Sequence, residues 1–280
     1  MGEPTKGTTI VDVMDRGADA AEVIAASIEN KHEFLIRAKR NRYVKDENYR
    51  LLFELGESLP IAGHTTLEVQ GKNKRKRRKA TLNLSFSKVT IPSPKRKKEI
   101  PPRECNLVRI HESCTPMDEE PIEWFLLTSL EVNNIEDAIQ IMKYYSFRWV
   151  IEEYHKCLKT GFRLEKTQLK TLKAIENLLG FISVSAVKLL QLRDIVRTNP
   201  TANVTQYVEE EDINIAKAYY HIQDKHITID KFLRLIAQMG GFLNRKSDGN
   251  PGWQTIWEGW KFFLYLKEGA RLYKEGKICG

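Results

Sequence analysis

A chain of 280 residues, 41% hydrophobic and 29% charged, is long enough for one large domain or two smaller ones, each with a real core. Its net charge of +8 at pH 7 points to a polyanionic partner, although the distribution of that charge says more than its sum. Cys105, Cys114, Cys157 and Cys279 are irregularly spaced with no C-x-x-C pair, which argues against a disulfide framework or a zinc cluster. The N-terminus has no signal-peptide core and no run approaches the ~18 apolar residues of a membrane span, so the chain reads as soluble and cytoplasmic, with no membrane partner.

The first elements are a strand through Val13 in TTIVDV, a helix over residues 18–29 and a second strand, EFLIRAK. A β-α-β unit of this kind implies parallel pairing. Asp15 falls just past the C-terminal end of the first strand, where open α/β sheets place their chemistry.

From Tyr43 to Cys105 the texture changes to strand-like alternation, clearest in ATLNLSFSKVTI, where Leu82, Leu84 and Phe86 alternate with Asn83, Ser85 and Ser87. Two basic runs flank that strand, KNKRKRRK at 72–79 and KRKK at 95–98. They are either the solvated, lysine-protected ends of a hairpin or loops laid along a nucleic-acid backbone. The second reading is preferred, because seven cations in eight residues repel one another without a counter-charge.

After Pro101 and Pro102 come two further strands, NLVRIHE and EWFLLTSLEV, the second reading as buried. Asn134 caps the next predicted helix, with Glu136 and Asp137 in its first turn, and that helix runs to about Lys159. A second long, largely apolar helix, TLKAIENLLGFISVSAVKLLQLRDIV, is expected to pack the core. The last 80 residues read as a helical module in which Trp253, Trp257 and Trp260, at i, i+4 and i+7, are core or interface rather than a ligand platform.

Within the helix before Lys159, YSFRWVIEEYHKCLKTG carries Tyr145, Arg148, Glu152 and Lys159. At about 100° per residue these four point within roughly 60° of one another. Such a stripe is either a solvated face or a site for an anionic ligand and a metal. Asp15 and Glu152 could meet at the edge of a mixed α/β sheet, and paired carboxylates of this kind hold divalent ions, two Mg²⁺ about 4 Å apart, for phosphodiester chemistry. Arg148 and Lys159 would then grip phosphates beside that site. His155 is better read as a solvated or DNA-side neighbour than as a ligand, and His221 and His226 are assigned no role.

The pattern Y-x2-R-x3-E-x6-K, filled by Tyr145, Arg148, Glu152 and Lys159, resembles the signature of the bacterial insertion-sequence-four transposases. These are cut-and-paste enzymes with a ribonuclease-H-like Asp/Asp/Glu core. VMDRGAD resembles the segment of the second catalytic Asp, FLIRAKR a DNA-contacting strand, and EWFLLTS the strand where a β-rich insertion returns to the core. AVKLLQLRD and MGGFLNRKSDGNPGWQTIWEGW resemble the later helices and the dimerisation region.

The resemblance implies an α/β fold: an incomplete ribonuclease-H-like core at 1–42 and 106–198, a basic β-rich insertion at 43–105 and a helical dimerisation region at 199–280. It makes Asp15 and Glu152 catalytic, metal-binding carboxylates for Mg²⁺ or Mn²⁺, two ions in the complete site. Arg37, Tyr145, Arg148, Lys156 and Lys159 would contact the double-stranded DNA of transposon ends, and Trp124 would stack on a base flipped during hairpin formation.

The family's first catalytic Asp lies on an opening strand well upstream, and only fourteen residues precede Asp15. Glu3 is in a polar leader and Asp12 shares the strand of Asp15, so neither takes that role. The expectation is therefore a C-terminal fragment that does not cleave DNA alone, with an unpaired apolar edge on its first strand and only non-specific phosphate affinity. Four readings stay open: an enzyme completed by another polypeptide, a binding protein that pairs with full-length transposase and inhibits it, a metal-dependent nuclease of related fold, and the product of a decayed gene.

Overall fold

The computed structural model describes residues 6–45, 49–69, 78–96, 98–161 and 167–277. By contact the chain forms two compact units, Met1–Trp149 and Val150–Gly280.

The first unit is built on one sheet. Strand β1 (Val11–Met14) and strand β2 (Glu33–Arg37) pair in parallel, Val13 opposite Leu35, with helix α1 (Ala21–Glu29) as the crossover between them. This is the predicted β-α-β unit. The chain then adds β3 (Tyr43–Lys45), β4 (Tyr49–Leu51), helix α2 (Leu52–Ser58), β5 (Gly63–Val69), β6 (Arg78–Ile91), β7 (Arg103–Glu112) and β8 (Glu123–Thr128). All their pairings are antiparallel, and the sheet runs β1-β2-β8-β7-β6-β3-β4, with β5 beside β6. Strands from 43–105 thus continue the same sheet as β1, β2 and β8. Among the described residues no strand pairs the outer side of β1.

Both faces of the sheet are covered, which is why EWFLLT reads as a nearly unbroken apolar run. On one face Leu35, Leu84, Val108, Ile110 and Leu126 pack beneath helix α3 (Ile135–Phe147), which contributes Ala138, Ile141, Met142 and Tyr145. On the other, Phe34, Ile36, Leu107, Phe125 and Leu127 meet Ile24 of α1 and Leu52 and Leu55 of α2. Helix α2 departs from the strand texture expected of 43–105. Its Leu52 and Leu55 follow a helical spacing, and Gly56 lets it approach the sheet, since a Cβ there would lie 2.7 Å from the Phe125 ring.

The helix expected to reach Lys159 is broken. Asn134 caps α3 as predicted, its side chain accepting from the Asp137 amide, but α3 ends at Phe147. Arg148 is a turn, α4 runs Trp149–Lys156, and a π-type turn follows over Cys157–Gly161. At this point Ser146 Oγ bonds back to the Met142 carbonyl at 2.9 Å, and the Arg148 amide bonds the Tyr145 carbonyl three residues back. Tyr145, Glu152 and Lys159 thus lie on three successive elements rather than on one regular helix.

The second unit is helical: α5 (Leu172–Thr198), α6 (Glu210–Tyr219), α7 (Ile229–Met239) and α8 (Trp253–Lys274). Phe232 and Ile236 of α7, Leu189 of α5 and Trp257 and Phe263 of α8 form its core. Trp257 and Trp260 are buried, and Trp253 stacks on Trp257 with ring centroids 5.1 Å apart, so the tryptophan series is core as expected. Helix α5 corrects one expectation, because it is long and apolar enough to cross a membrane. Its Ile182, Ala186, Leu189 and Leu192 are buried in this unit, which is the behaviour of a core helix, while Leu172, Phe181 and Val184 are exposed.

Where α7 meets α8 the backbones touch. A Cβ on Gly259 would lie 1.7 Å from the Ile236 carbonyl oxygen, and one on Gly240 would lie 2.0 Å from that of Thr255. Gly259→Ala is expected to force the helices apart and destabilise this unit by about 1–3 kcal/mol or more, measured by chemical denaturation.

Strand ends are held by buried charge. Arg78 on β6 forks onto Glu112 at the end of β7 and donates to Glu119 at 2.7 Å, and Glu112 also accepts from the Ile122 amide. The Arg78 hydrogen bonds hold the Glu112 carboxyl below its ordinary value of 4.5, outweighing the upward push of burial. The stability this fork supplies is full above the unfolded-state value and is lost as pH falls through the lower folded one. Arg78→Ala is expected to cost about 3–5 kcal/mol at neutral pH and to flatten the acid limb of a stability–pH profile.

Candidate nucleic-acid and metal site

In the first unit the candidate chemistry gathers at the C-terminal ends of β1 and β2. Asp15 directly follows β1 and is exposed; its Oδ1 accepts from the Gly17 amide at 2.7 Å, capping a short 3-10 turn over Arg16–Ala18. Four residues on, Asp19 is 3% exposed and turned inward. It accepts from the Lys39 and Arg40 amides at 2.7 and 3.0 Å and forms an ion pair with Arg42. The segment after β2 is thereby fixed, with Lys39 and Arg40 presented to solvent. Sequence reasoning passed over Asp19; the signal was the second acid of DRGAD together with the cations of RAKRNR.

Arg37, at the end of β2, is half-buried. Its guanidinium donates to the Glu123 carbonyl at 2.8 Å and shares a hydrogen bond with the Tyr145 hydroxyl. Burial lowers its pKa, and the cations of Arg16 and Arg148 lower it further, against the contrary pull of Tyr145. Arg37 thus feels the like charges of Arg16 and Arg148, and a bound anion would relieve that repulsion. Tyr145 is 6% exposed, and Trp124 at the start of β8 meets it edge-on, with centroids 5.1 Å apart. Arg148 lies 5.9 Å from the Trp149 ring. The structure brings Arg37, Trp124, Tyr145 and Arg148 together in this unit.

Glu152, Lys156 and Lys159 belong to the second unit, on α4 and the π-type turn after it, and all three are exposed. No residue of α4 is buried. Its inward side is polar: Glu153 forks onto Arg193 of α5, and the Tyr154 hydroxyl donates to Ser183 Oγ at 2.9 Å. Burial pushes the Glu153 carboxyl up, yet Arg193, with Arg197 and Trp253, carries it below its ordinary value. The turn after α4 is anchored by Cys157, Leu158 and Gly161, and a Cβ on Gly161 would lie 2.7 Å from the Trp257 ring. Burial pushes the Cys157 thiol up to about 12, so it stays protonated.

Exposed carboxylates such as Asp15 and Glu152 are hard oxygen donors suited to Mg²⁺ or Mn²⁺. One lies in each unit, and among the described residues no three His, Cys, Asp or Glu side chains are grouped to hold a metal. His155 is exposed, its ring 5.5 Å from that of Tyr154. Of the basic runs, 72–77 and 97 lie outside the described residues; Lys79, Lys95, Arg96 and Lys98 are exposed.

Two family models match the chain. Residues 4–187 match the transposase DDE domain, and residues 184–278 match the transposase Tn5 dimerisation domain. A DDE domain of this kind acts on DNA with divalent metal ions, and the second match supports self-association. The chain, a mixed α/β sheet unit followed by a helical unit, therefore belongs to the DDE transposase family.

Proposed function

We propose that this chain is the catalytic and dimerisation portion of a cut-and-paste transposase of the insertion-sequence-four type, acting in the cytoplasm on the double-stranded ends of its element. The observation that carries this reading is half-buried Arg37, bonded to Tyr145 and in the field of Arg16 and Arg148, at the end of the strand paired in parallel with the one that Asp15 follows. Arg37 and Arg148 grip phosphates, Lys156 and Lys159 contact the backbone, and Trp124 leaves the edge of Tyr145 to stack on a flipped base. Asp15 and Glu152 are the metal-holding carboxylates. A divalent ion held by these residues, Mg²⁺ or Mn²⁺, would supply Lewis-acid chemistry for phosphodiester cleavage. The residues from 43 to 105 serve as the basic insertion, and the helices from 199 onward pair with a second copy or with full-length transposase.

The unpaired outer side of β1 supports a further point, as does the finding that no three metal-ligating side chains are grouped among the described residues. Cleavage needs an additional Asp-bearing strand on that edge, supplied outside the described residues, and without it the chain binds DNA but does not cut. The dimerisation match supports a second reading, in which such a chain joins full-length transposase and inhibits it. Co-expression tests this second reading: an inhibitor lowers transposition frequency, and a bystander leaves it unchanged.

Arg37→Ala and Arg148→Ala are each expected to reduce the salt slope of DNA binding by about 1. Trp124→Ala is expected to cost about 1–3 kcal/mol on DNA carrying an unpaired base, and little on intact duplex. Both are read by fluorescence anisotropy over a salt series. In the complete transposase, Asp15→Asn and Glu152→Gln are expected to abolish strand cleavage and weaken Mn²⁺ binding with DNA affinity nearly normal; cleavage that survives Glu152→Gln would remove that residue from the site.

A further inference from the structure

We propose that Arg193 is a positioning residue for Glu152, acting through Glu153. The inference rests on the reading of Glu152 as a metal-holding carboxylate. Helix α4 has eight residues and buries none of them, and a helix this short has little stability of its own. Its orientation is set by the buried turn that follows it and by what grips its side chains, Tyr154 on Ser183 and above all Glu153. The bidentate fork from Arg193 to Glu153 fixes both the distance and the rotation of the helix, which a single hydrogen bond cannot do. Adjacent helical residues point about 100° apart, so holding Glu153 inward keeps Glu152 outward.

The fork stands on a rigid base. Arg193 projects from α5 beside the buried Leu189 and Leu192. Its guanidinium lies over the Trp253 ring at 4.1 Å, and Trp253 stacks at 5.1 Å on Trp257, which is 2% exposed. A continuous path of contacts runs from the helical core through Trp253 and Arg193 to Glu153, and so to the neighbouring Glu152. Arg193 touches neither DNA nor metal in this account; it decides where Glu152 points.

The test uses the whole chain and two readouts, amide hydrogen exchange along residues 150–156 and Mn²⁺ affinity by titration calorimetry. Arg193→Met keeps an apolar stem on Trp253 and removes the fork, and Glu153→Gln removes the charge from the other side. Each is expected to speed exchange in α4 about tenfold and to weaken Mn²⁺ binding about threefold to tenfold, with α7 and α8 as protected as before. The exchanged pair Glu153→Arg with Arg193→Glu should restore both. Unchanged α4 exchange in the two single variants overturns the proposal, as does faster exchange throughout the helical unit or faster α4 exchange with Mn²⁺ affinity intact. If Glu152→Gln binds Mn²⁺ as the parent chain does, the metal role of Glu152 fails, and the positioning role falls with it while the exchange data still report whether the clamp holds α4.

Discussion

A charge taken out of water has to be met by a partner, and this chain uses such pairs to tie one element to the next. Asp19 with Arg42 holds the segment after β2, Glu112 with Arg78 ties β7 to β6, Glu153 with Arg193 holds α4 to α5, and Asp212 with Lys267 at 2.6 Å joins α6 to α8. In three of the four an arginine supplies the cation, and its planar fork fixes orientation as well as distance. Leucines could have covered the same surface, but a greasy contact tolerates sliding and rotation, whereas a fork does not. That difference counts most where neighbouring residues must face a ligand.

The parallel pairing of β1 with β2 is the second constraint. It brings two strand ends to the same edge of the sheet, so Asp15 and Arg37 emerge on one side, and the Asp19 network places Lys39 and Arg40 close by. The antiparallel return of β8 brings Glu123 and Trp124 back to that edge, opposite the end of β2. Residues from four separated stretches of sequence converge because the topology leaves them no other exit. Arg37 illustrates the consequence: its carbonyl partner comes from β8, its phenol partner from α3, and the cations that depress it from the turn after β1 and the end of α3.

Much of the sheet was legible in the sequence because buried strands and the β-α-β unit leave strong apolar patterns. TTIVDV, EFLIRAK, ATLNLSFSKVTI and EWFLLT all fall on observed strands. What escaped were features decided by tertiary contact. Helix α2 is short and depends on Gly56 lying against Phe125, a contact 69 residues away in sequence that no local pattern records. The break at Arg148 leaves no mark in the residue pattern, since Ser146 and Arg148 look ordinary in a helix. At the candidate site the conspicuous residues were picked out by charge and spacing, while Asp19 and Arg193 were not, because a buried acid and its arginine look like any other surface charges until the fold pairs them.

The break at Arg148 also changes what the signature spacing means. Had Tyr145, Arg148, Glu152 and Lys159 shared one regular helix, their common direction would have followed from helix geometry alone. Instead Tyr145 is buried under the sheet-covering helix and Arg148 is the turn that ends it, while Glu152 rides on a separate short helix and Lys159 on a π-type turn. The spacing therefore spans the end of one helix, a second short helix and the turn after it. Each helix needs its own anchor, Tyr145 in the sheet unit and Glu153 with Tyr154 in the helical unit. On the proposed reading, substitutions at those inward residues are felt at their outward neighbours, because Glu153 and Tyr154 are the half-buried residues of an otherwise exposed short helix.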